Sequence, residues 1–288
     1  MMVVIAVSMT HHYTDRNKRP REKAQPDTMD TATARLLANL TSDFYVQTAL
    51  SFSATRQSPW EGWRRVIGEA AGLRRGREPL SVLDAGCGNL RFERFLSDEN
   101  VAFRAVGVDG CPALVAEGAS AFAGVKGADA PVKFIEANII EALLRGADPF
   151  AALDERSFDL AVAFGVMHHV PTAAARRSLL GALVEHTRPG GIVAASFWRF
   201  ADDARLLKKA CAATAKAQER FGPLDLDAGD HLLQWQQDES VFRYCHHASD
   251  DEIADLAASC AASADVVASF SADGASGRLN RYLVLRKR

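Results

Sequence analysis

From Ser81 onward, short apolar runs of strand length alternate with stretches whose apolar residues recur every three or four positions. The first run, Ser81-Val-Leu-Asp84, breaks at Gly86 and Gly88, and a helical pattern restarts through Phe92, Phe95 and Leu96. Val106-Gly-Val-Asp109 reads as a second strand, with a helix over Cys111–Phe122, and Val132–Asn138 as a third. The run that opens at Phe158 is almost continuously apolar, as a strand covered on both faces should be. It delivers Phe164, Gly165, Met167, His168 and His169 to its tip. A helix over Arg176–His186 stops at Arg188-Pro-Gly-Gly191, which cannot continue it, and Ile192–Trp198 is a fifth strand. This alternation predicts a doubly wound α/β domain with a mostly parallel sheet.

The flanks break the rhythm. Between Asp30 and about Gly72, the positions Phe44, Tyr45, Thr48, Ala49 and Phe52 share one helical face. Ser58-Pro59 ends that helix, and Trp60, Trp63, Val66 and Ile67 begin another. Residues 30–75 are therefore a helical cap, able to lie across the ligand-bearing sheet edge. After Trp198 a helix (Asp203–Phe221) and an irregular stretch (Gly222–Trp235) fill an insertion at 199–247 on the substrate side. A capping box at Ser249 and Glu252 starts a helix over Asp250–Ser259. Ala264–Phe270 and Asn280–Leu285 are closing strands, joined by a glycine-bearing loop and expected to pair antiparallel. The domain plan is a disordered tail at 1–29, carrying a basic segment at 15–23, and one domain at 30–288.

Composition narrows the class rather than naming it. The 288 residues carry a formal net charge of -2, so an RNA partner must meet a local basic patch. Five scattered cysteines without C-x-x-C spacing argue for neither disulfides nor a zinc site, and a reducing cytoplasm suits them. No apolar run approaches the ~20 residues of a membrane helix. Neither membrane nor metal is expected.

The Asp84 turn carries the chemistry. A dinucleotide site asks for G-x-G-x-x-G, and its third glycine falls on Arg91 here. A carboxylate at this turn crowds a pyrophosphate but suits a ligand with a cationic amino-acid end. A second acid at the next strand tip, Asp109, suits ribose hydroxyls, and the pair describes S-adenosylmethionine. The stretch resembles the first motif of the class I S-adenosylmethionine-dependent methyltransferases. It departs from them at Leu90, where they usually carry a third glycine, so a stiffer turn is expected. The resemblance implies a seven-stranded Rossmann-like sheet whose last strand is antiparallel. It also puts Asn138 where an acid usually accepts from the adenine amine.

A narrower resemblance spans most of residues 44–285. The stretch from Phe44 through Phe52-Ser-Ala-Thr-Arg56 to Pro59-Trp60 is similar to the leading helix of the tRNA carboxymethyluridine methyltransferases. Gly229–Trp235, Phe242–Ala248 and Asn280-Arg-Tyr282 match later patches in the same order, departing at Gln234 and Cys245. This implies a methyl ester formed on a carboxymethylated wobble uridine of tRNA, with a small activating protein partner allowed. The cofactor residues expected are Tyr45, Arg56, Asp84, Gly86, Gly88 and Asp109, joined by Asn138, Ile139, Phe164 and His169. Arg56 and Arg243 are the cations expected to orient the acceptor carboxylate, with Arg199 a third candidate. Tyr244 and His246 are expected to stack on or hydrogen-bond a splayed base, and His246 or His169 to serve if a base is required. His168 is expected to pack against the cofactor and His169 to cap the next helix. Two other readings stand: a methyltransferase of small O or N acceptors, and a silent S-adenosylmethionine-binding partner subunit.

Overall fold

The computed structural model describes residues 29–73, 78–122, 132–153, 157–235 and 238–288. The predicted tail, apart from Met29, lies outside these residues. Met29 itself is buried, packed with Leu37, Leu232, Phe242 and Tyr244.

The parallel strands are β1 (Leu80–Ala85), β2 (Phe103–Asp109), β3 (Val132–Glu136), β4 (Phe158–Ala163) and β5 (Thr187–Trp198). A two-stranded hairpin, β6 (Asp230–Trp235) and β7 (Asp238–His246), stands apart. The sheet is completed by β8 (Ala264–Ala272) and β9 (Asn280–Lys287), in the order β3-β2-β1-β4-β5-β9-β8. β9 runs antiparallel to both its neighbours. The strand order reverses between β1 and β4, and a ligand crevice opens outside the carboxyl ends of strands at such a point.

The sheet is covered on both faces, which is why its central strands are apolar throughout. Successive side chains of β1 point oppositely. Val82 packs with Trp63, Val66, Phe92 and Phe95 of α2 (Glu61–Ala70) and α3 (Arg91–Asp98). Leu83 and Ala85 pack with Ile139 and Leu143, Leu179 and Leu183, and Leu256 on the other face. Those belong to α5 (Ile139–Leu144), α6 (Ala173–His186) and α8 (Asp250–Ser259). Helix α1 (Thr31–Ala54), capped by Asp30 accepting from Thr33 N–H at 2.7 Å, crosses the crevice end. Its Tyr45, Ala49 and Phe52 meet Cys111 and Leu114 at the start of α4 (Pro112–Phe122). Among the described residues no helix is long and apolar enough to cross a membrane.

Three local expectations change. The last six residues of the stretch read as irregular, Asp230–Trp235, form β6, because β7 supplies the pairing that their own sequence does not announce. Ser249 accepts from Glu252 N–H at 3.0 Å, but Glu252 does not close the capping box, its carboxylate being drawn to Arg176 and His246. The cap of α6 is Thr172, accepting from Ala175 N–H at 3.1 Å, and not His169.

Candidate active site

The crevice is a cavity of about 600 Å³. Its walls bring together Tyr45, Arg56, Asp84, Gly86, Gly88 and Asp109 with Asn138, Ile139, Phe164, His169 and Arg243. Of the residues singled out from sequence, Arg199, Tyr244 and His246 are not among them.

The floor is the turn after β1. Gly86 has φ +73°, and a Cβ there would stand 2.1 Å from Val166 Cγ2, so only glycine lets the turn tuck beneath the β4 loop. Gly88 N–H and Cys111 N–H donate to the two carboxylate oxygens of Asp109 at 2.9 and 2.8 Å. These bonds hold the carboxylate still while each oxygen keeps a second lone pair for a ligand. Burial nevertheless raises its pKa. Leu90 takes the left-handed conformation, φ 54° and ψ 35°, that a glycine would adopt without cost. The turn thus keeps the glycine backbone, at ~1–2 kcal/mol of strain, and Leu90 is buried against Cys87 and Val115.

The roof is tied to the β4 loop by one phenol. Tyr45 Oη lies 2.8 Å from His169 Nε2, and His169 Nδ1 lies 2.7 Å from the Tyr244 carbonyl. A carbonyl only accepts, so Nδ1 carries the hydrogen and Nε2 accepts from the Tyr45 hydroxyl. Burial, then the Arg243 guanidinium, pulls His169 down to about 3, and burial pushes Tyr45 up to about 12. With its one lone pair taken, His169 is a latch and not a base. Asn138 is similarly occupied: its side-chain oxygen caps α5, accepting from Glu141 N–H at 3.0 Å. One lone pair remains for an adenine amine.

Three guanidinium groups line the cavity. Arg243 is 5% exposed and sits among Phe44, Trp198, Trp235 and Phe52, with its carbon 4.8 to 5.8 Å from their ring centroids. Its Nε makes no hydrogen bond, and no carboxylate pairs with it among the described residues. Arg56 lies over Phe52 and donates to its neighbour Thr55 Oγ1 at 3.2 Å. Burial and Arg243 lower its pKa. Arg91 lies over Trp60 and Trp63 and is drawn down to about 10, chiefly by burial. Against these, the carboxylates lining the cavity are Asp84 and Asp109 alone, among the described residues. The excess is cationic, which suits an anionic ligand. Arg91 is a wall residue that sequence reasoning noticed only as a misplaced glycine, although a guanidinium directly after the glycine turn was the available signal.

The residues left outside are committed elsewhere. His246, 3% exposed, bonds Asp230 through Nδ1 at 2.6 Å and Glu252 through Nε2 at 2.7 Å. Burial works against its charge, but these two hydrogen bonds outweigh it and raise its pKa. Both ring nitrogens are taken by carboxylates, so it has no nitrogen free to serve as base or as base-binding group. Tyr244 donates to Asp230 at 2.6 Å and is wholly buried, which removes it from stacking. Arg176 completes the network, donating to Glu252 at 2.8 Å and to the Val170 carbonyl at 2.9 Å. Arg199 is held by Asp202 at 2.9 Å and by the Ala248 carbonyl at 2.8 Å, too firmly paired to orient an acceptor.

His168, His169 and Cys245 offer ligand atoms within 4.8 Å of one another, closer than two adjacent histidines in a loop led us to expect. The donors do not suit a cation. Both nitrogens of His169 are used, and burial pushes the Cys245 thiol up to about 12. The Arg243 charge also acts on both rings, lowering their pKa values.

Comparison with known proteins agrees with this geometry. A family described as a methyltransferase domain matches residues 83–193. No curated protein matches the chain significantly. A SAM-dependent methyltransferase from Methanosarcina mazei shares 15% identity over 77% of this chain and 96% of its own, with a TM-score of 0.56. The DhpI–SAM–HEP complex shares 17% over 87% of this chain and 97% of its own, with a TM-score of 0.54. The Burkholderia thailandensis 1,6-didemethyltoxoflavin-N1-methyltransferase, solved with 1,6-didemethyltoxoflavin and S-adenosylhomocysteine, shares 19% over 88% of this chain and 90% of its own, with a TM-score of 0.51. The seven-stranded order with its antiparallel β9 is the class I arrangement. Residues 83–193 thus match a methyltransferase-domain family, and the chain has the class I methyltransferase fold.

Proposed function

We propose that the enzyme esterifies an ionised carboxyl group, and that the acceptor is a carboxymethylated wobble uridine of tRNA. The observation that carries this reading is Arg243: a buried guanidinium, caged by aromatic rings and without a carboxylate partner, on the wall of the cofactor cavity. A buried cation without a counter-charge is expensive to keep, so its cost is offset when an anion is bound.

The residues present fit the cofactor. Asp84 lines the cavity and would take the cationic methionyl end with its carboxylate. Asp109, fixed by two backbone N–H groups, would take the ribose hydroxyls, and Asn138 and Ile139 would border the adenine. Arg56 would meet the methionyl carboxylate, leaving Arg243 for the acceptor. When bound, S-adenosylmethionine supplies a methyl group already activated by the sulfonium charge. An acceptor carboxylate is ionised near neutral pH, so this chain need not abstract a proton, in keeping with a His169 whose lone pair is occupied. What the residues contribute is alignment, worth ~7–11 kcal/mol when reactants are held in line.

The tRNA part of the reading has two supports. One is the ordered resemblance in residues 44–285. The other is α7 (Ala204–Phe221), whose first turns expose Arg205, Lys208 and Lys209. Leu206 of the same turns packs against the apolar cluster that Trp198, a wall residue of the cavity, also packs against. The test is mass spectrometry of tRNA nucleosides from cells with and without the gene. Loss of a methyl ester on a wobble uridine supports the assignment; an unchanged profile rejects tRNA and moves the acceptor to a small carboxylic acid.

A further inference from the structure

Behind the cavity floor lies a further carboxyl that the proposed reaction does not use. Glu93, in the first turn of α3, is 0% exposed and neither of its oxygens meets a hydrogen-bond donor. It faces Asp84, 3% exposed, whose Oδ1 also lacks one. Interior carboxylates are ordinarily paired with a cation or held by several N–H groups, and an unpaired one is strongly unfavourable. No ion pair reaches either residue among the described residues. Of the charged and titratable groups around them, Arg94 eases the deficit in part and the others deepen it or leave it unmet. Asp109 adds a further negative group from β2, and Cys87 in the turn is a neutral thiol, its pKa raised by burial. Arg94, adjacent on α3, makes no ion pair with Glu93; its charge lowers the Glu93 pKa, while its Nη1 donates to Gln57 Oε1 at 3.2 Å.

We propose that Asp84 and Glu93 act as one acid pair, which holds a single proton in the free enzyme and releases it when the cationic methionyl end of S-adenosylmethionine binds. Two carboxyls buried side by side cannot both ionise, and a proton held between them gives each an O–H or an acceptor where no other partner exists. Burial first, and Glu93 second, raises Asp84 well above the usual carboxylate range, and burial raises Glu93 to about 7. Arrival of a cation supplies the missing positive charge, the carboxyl O–H bond breaks, and the proton leaves to solvent. No covalent bond to the ligand forms. Glu93 has no surface on the cavity, so it is a positioning residue that acts through Asp84. By linkage, cofactor affinity rises by up to tenfold per pH unit through the range where the pair titrates, and flattens above it.

This inference depends on S-adenosylmethionine being the ligand, and one experiment separates the two ideas. Full-length enzyme is titrated calorimetrically with S-adenosylmethionine at about pH 6, in two buffers of different ionisation enthalpy. The wild type is expected to release about one proton per ligand bound. Glu93→Gln, which keeps the shape and gives Asp84 an amide donor, is expected to release almost none and to bind with affinity independent of pH. Equal proton release in the two proteins, or none in the wild type, overturns the acid pair while leaving the cofactor in place. Absence of any binding heat, checked by equilibrium dialysis, overturns the cofactor reading and this inference together. Should Glu93→Gln misfold by circular dichroism, Asp84→Asn leaves a lone Glu93, and proton release undiminished in that variant is equally fatal.

Discussion

Tyr45 and His169, 124 positions apart, share a single hydrogen between the phenol and Nε2 at 2.8 Å, and this contact joins the roof helix to the sheet edge. Because the Tyr244 carbonyl holds the other nitrogen, the imidazole has one tautomer and its orientation is set. Protonation would replace the acceptor by a donor and break the latch.

Tyr45→Phe removes one buried hydrogen bond, worth ~1 kcal/mol, and leaves a lone pair unsatisfied. Affinity for S-adenosylmethionine should fall roughly 5- to 30-fold, by the same reckoning of ~1–2 kcal/mol. Amide exchange across residues 41–54 should quicken while the β1 and β4 strands are unaffected. Exchange unchanged in α1 would mean the roof is held by packing alone.

His169 is neutral in the fold at about 3 and titrates near 6.5 when unfolded. The unfolded chain therefore binds the proton first, and stability contributed by this residue is full above ~6.5 and is lost as pH falls toward 3. His246 has the opposite sign. Its raised pKa gives stability that is present below its unfolded value and lost as pH rises through the folded one. Denaturant melts of His169→Asn and His246→Gln across pH should therefore differ from wild type at opposite ends of the range.

Arg243→Met should abolish turnover of a carboxylate acceptor, by a factor of about 100 or more, since a charge-assisted pair contributes ~2–5 kcal/mol. The same substitution removes an unpaired buried charge and fills its aromatic cage with an apolar chain. Its thermal midpoint should equal or exceed the wild-type value. A variant both inactive and several degrees less stable would mean that Arg243 supports the fold and not the acceptor.

Asp230→Asn tests the network beneath β7. Removing one carboxylate from Tyr244 and His246 breaks a buried ion-pair network, at a cost of ~3–5 kcal/mol. Methyl transfer per folded molecule should be little changed, because none of these groups lines the cavity. Activity normalised to the folded fraction, measured by near-ultraviolet circular dichroism, decides this.

The difference between what the sequence disclosed and what it concealed follows from the range of the contacts. Asp84, Gly86 and Gly88 were legible because their turn is local and its residue types are constrained by backbone geometry, and Asp109 because it ends the next strand, which pairs with β1. Tyr45, Arg56 and Arg243 came to the same cavity from distant segments, and only the ordered resemblance linked them. His246 was misjudged for a physical reason. A histidine in an exposed-looking stretch gives no sign of its partners, and Asp230 and Glu252 reach it from β6 and α8. Glu93 passed unnoticed because its spacing from Asp84 matches no motif, and only burial distinguishes it from an ordinary helix-surface acid.

Asp273 accepts from Gly62 N–H, Asn280 and Tyr282, and Gly62 is pressed so close to the Tyr282 ring that a Cβ would fall 2.3 Å from it. One carboxylate thereby fastens α2 to β9. On the ribosome, the helices emerge long before Asn280 and Tyr282 are made. The wall of the pocket that holds Leu279 and Asn280 cannot close before β9 has been made, and so ligand capture should follow the synthesis of that strand.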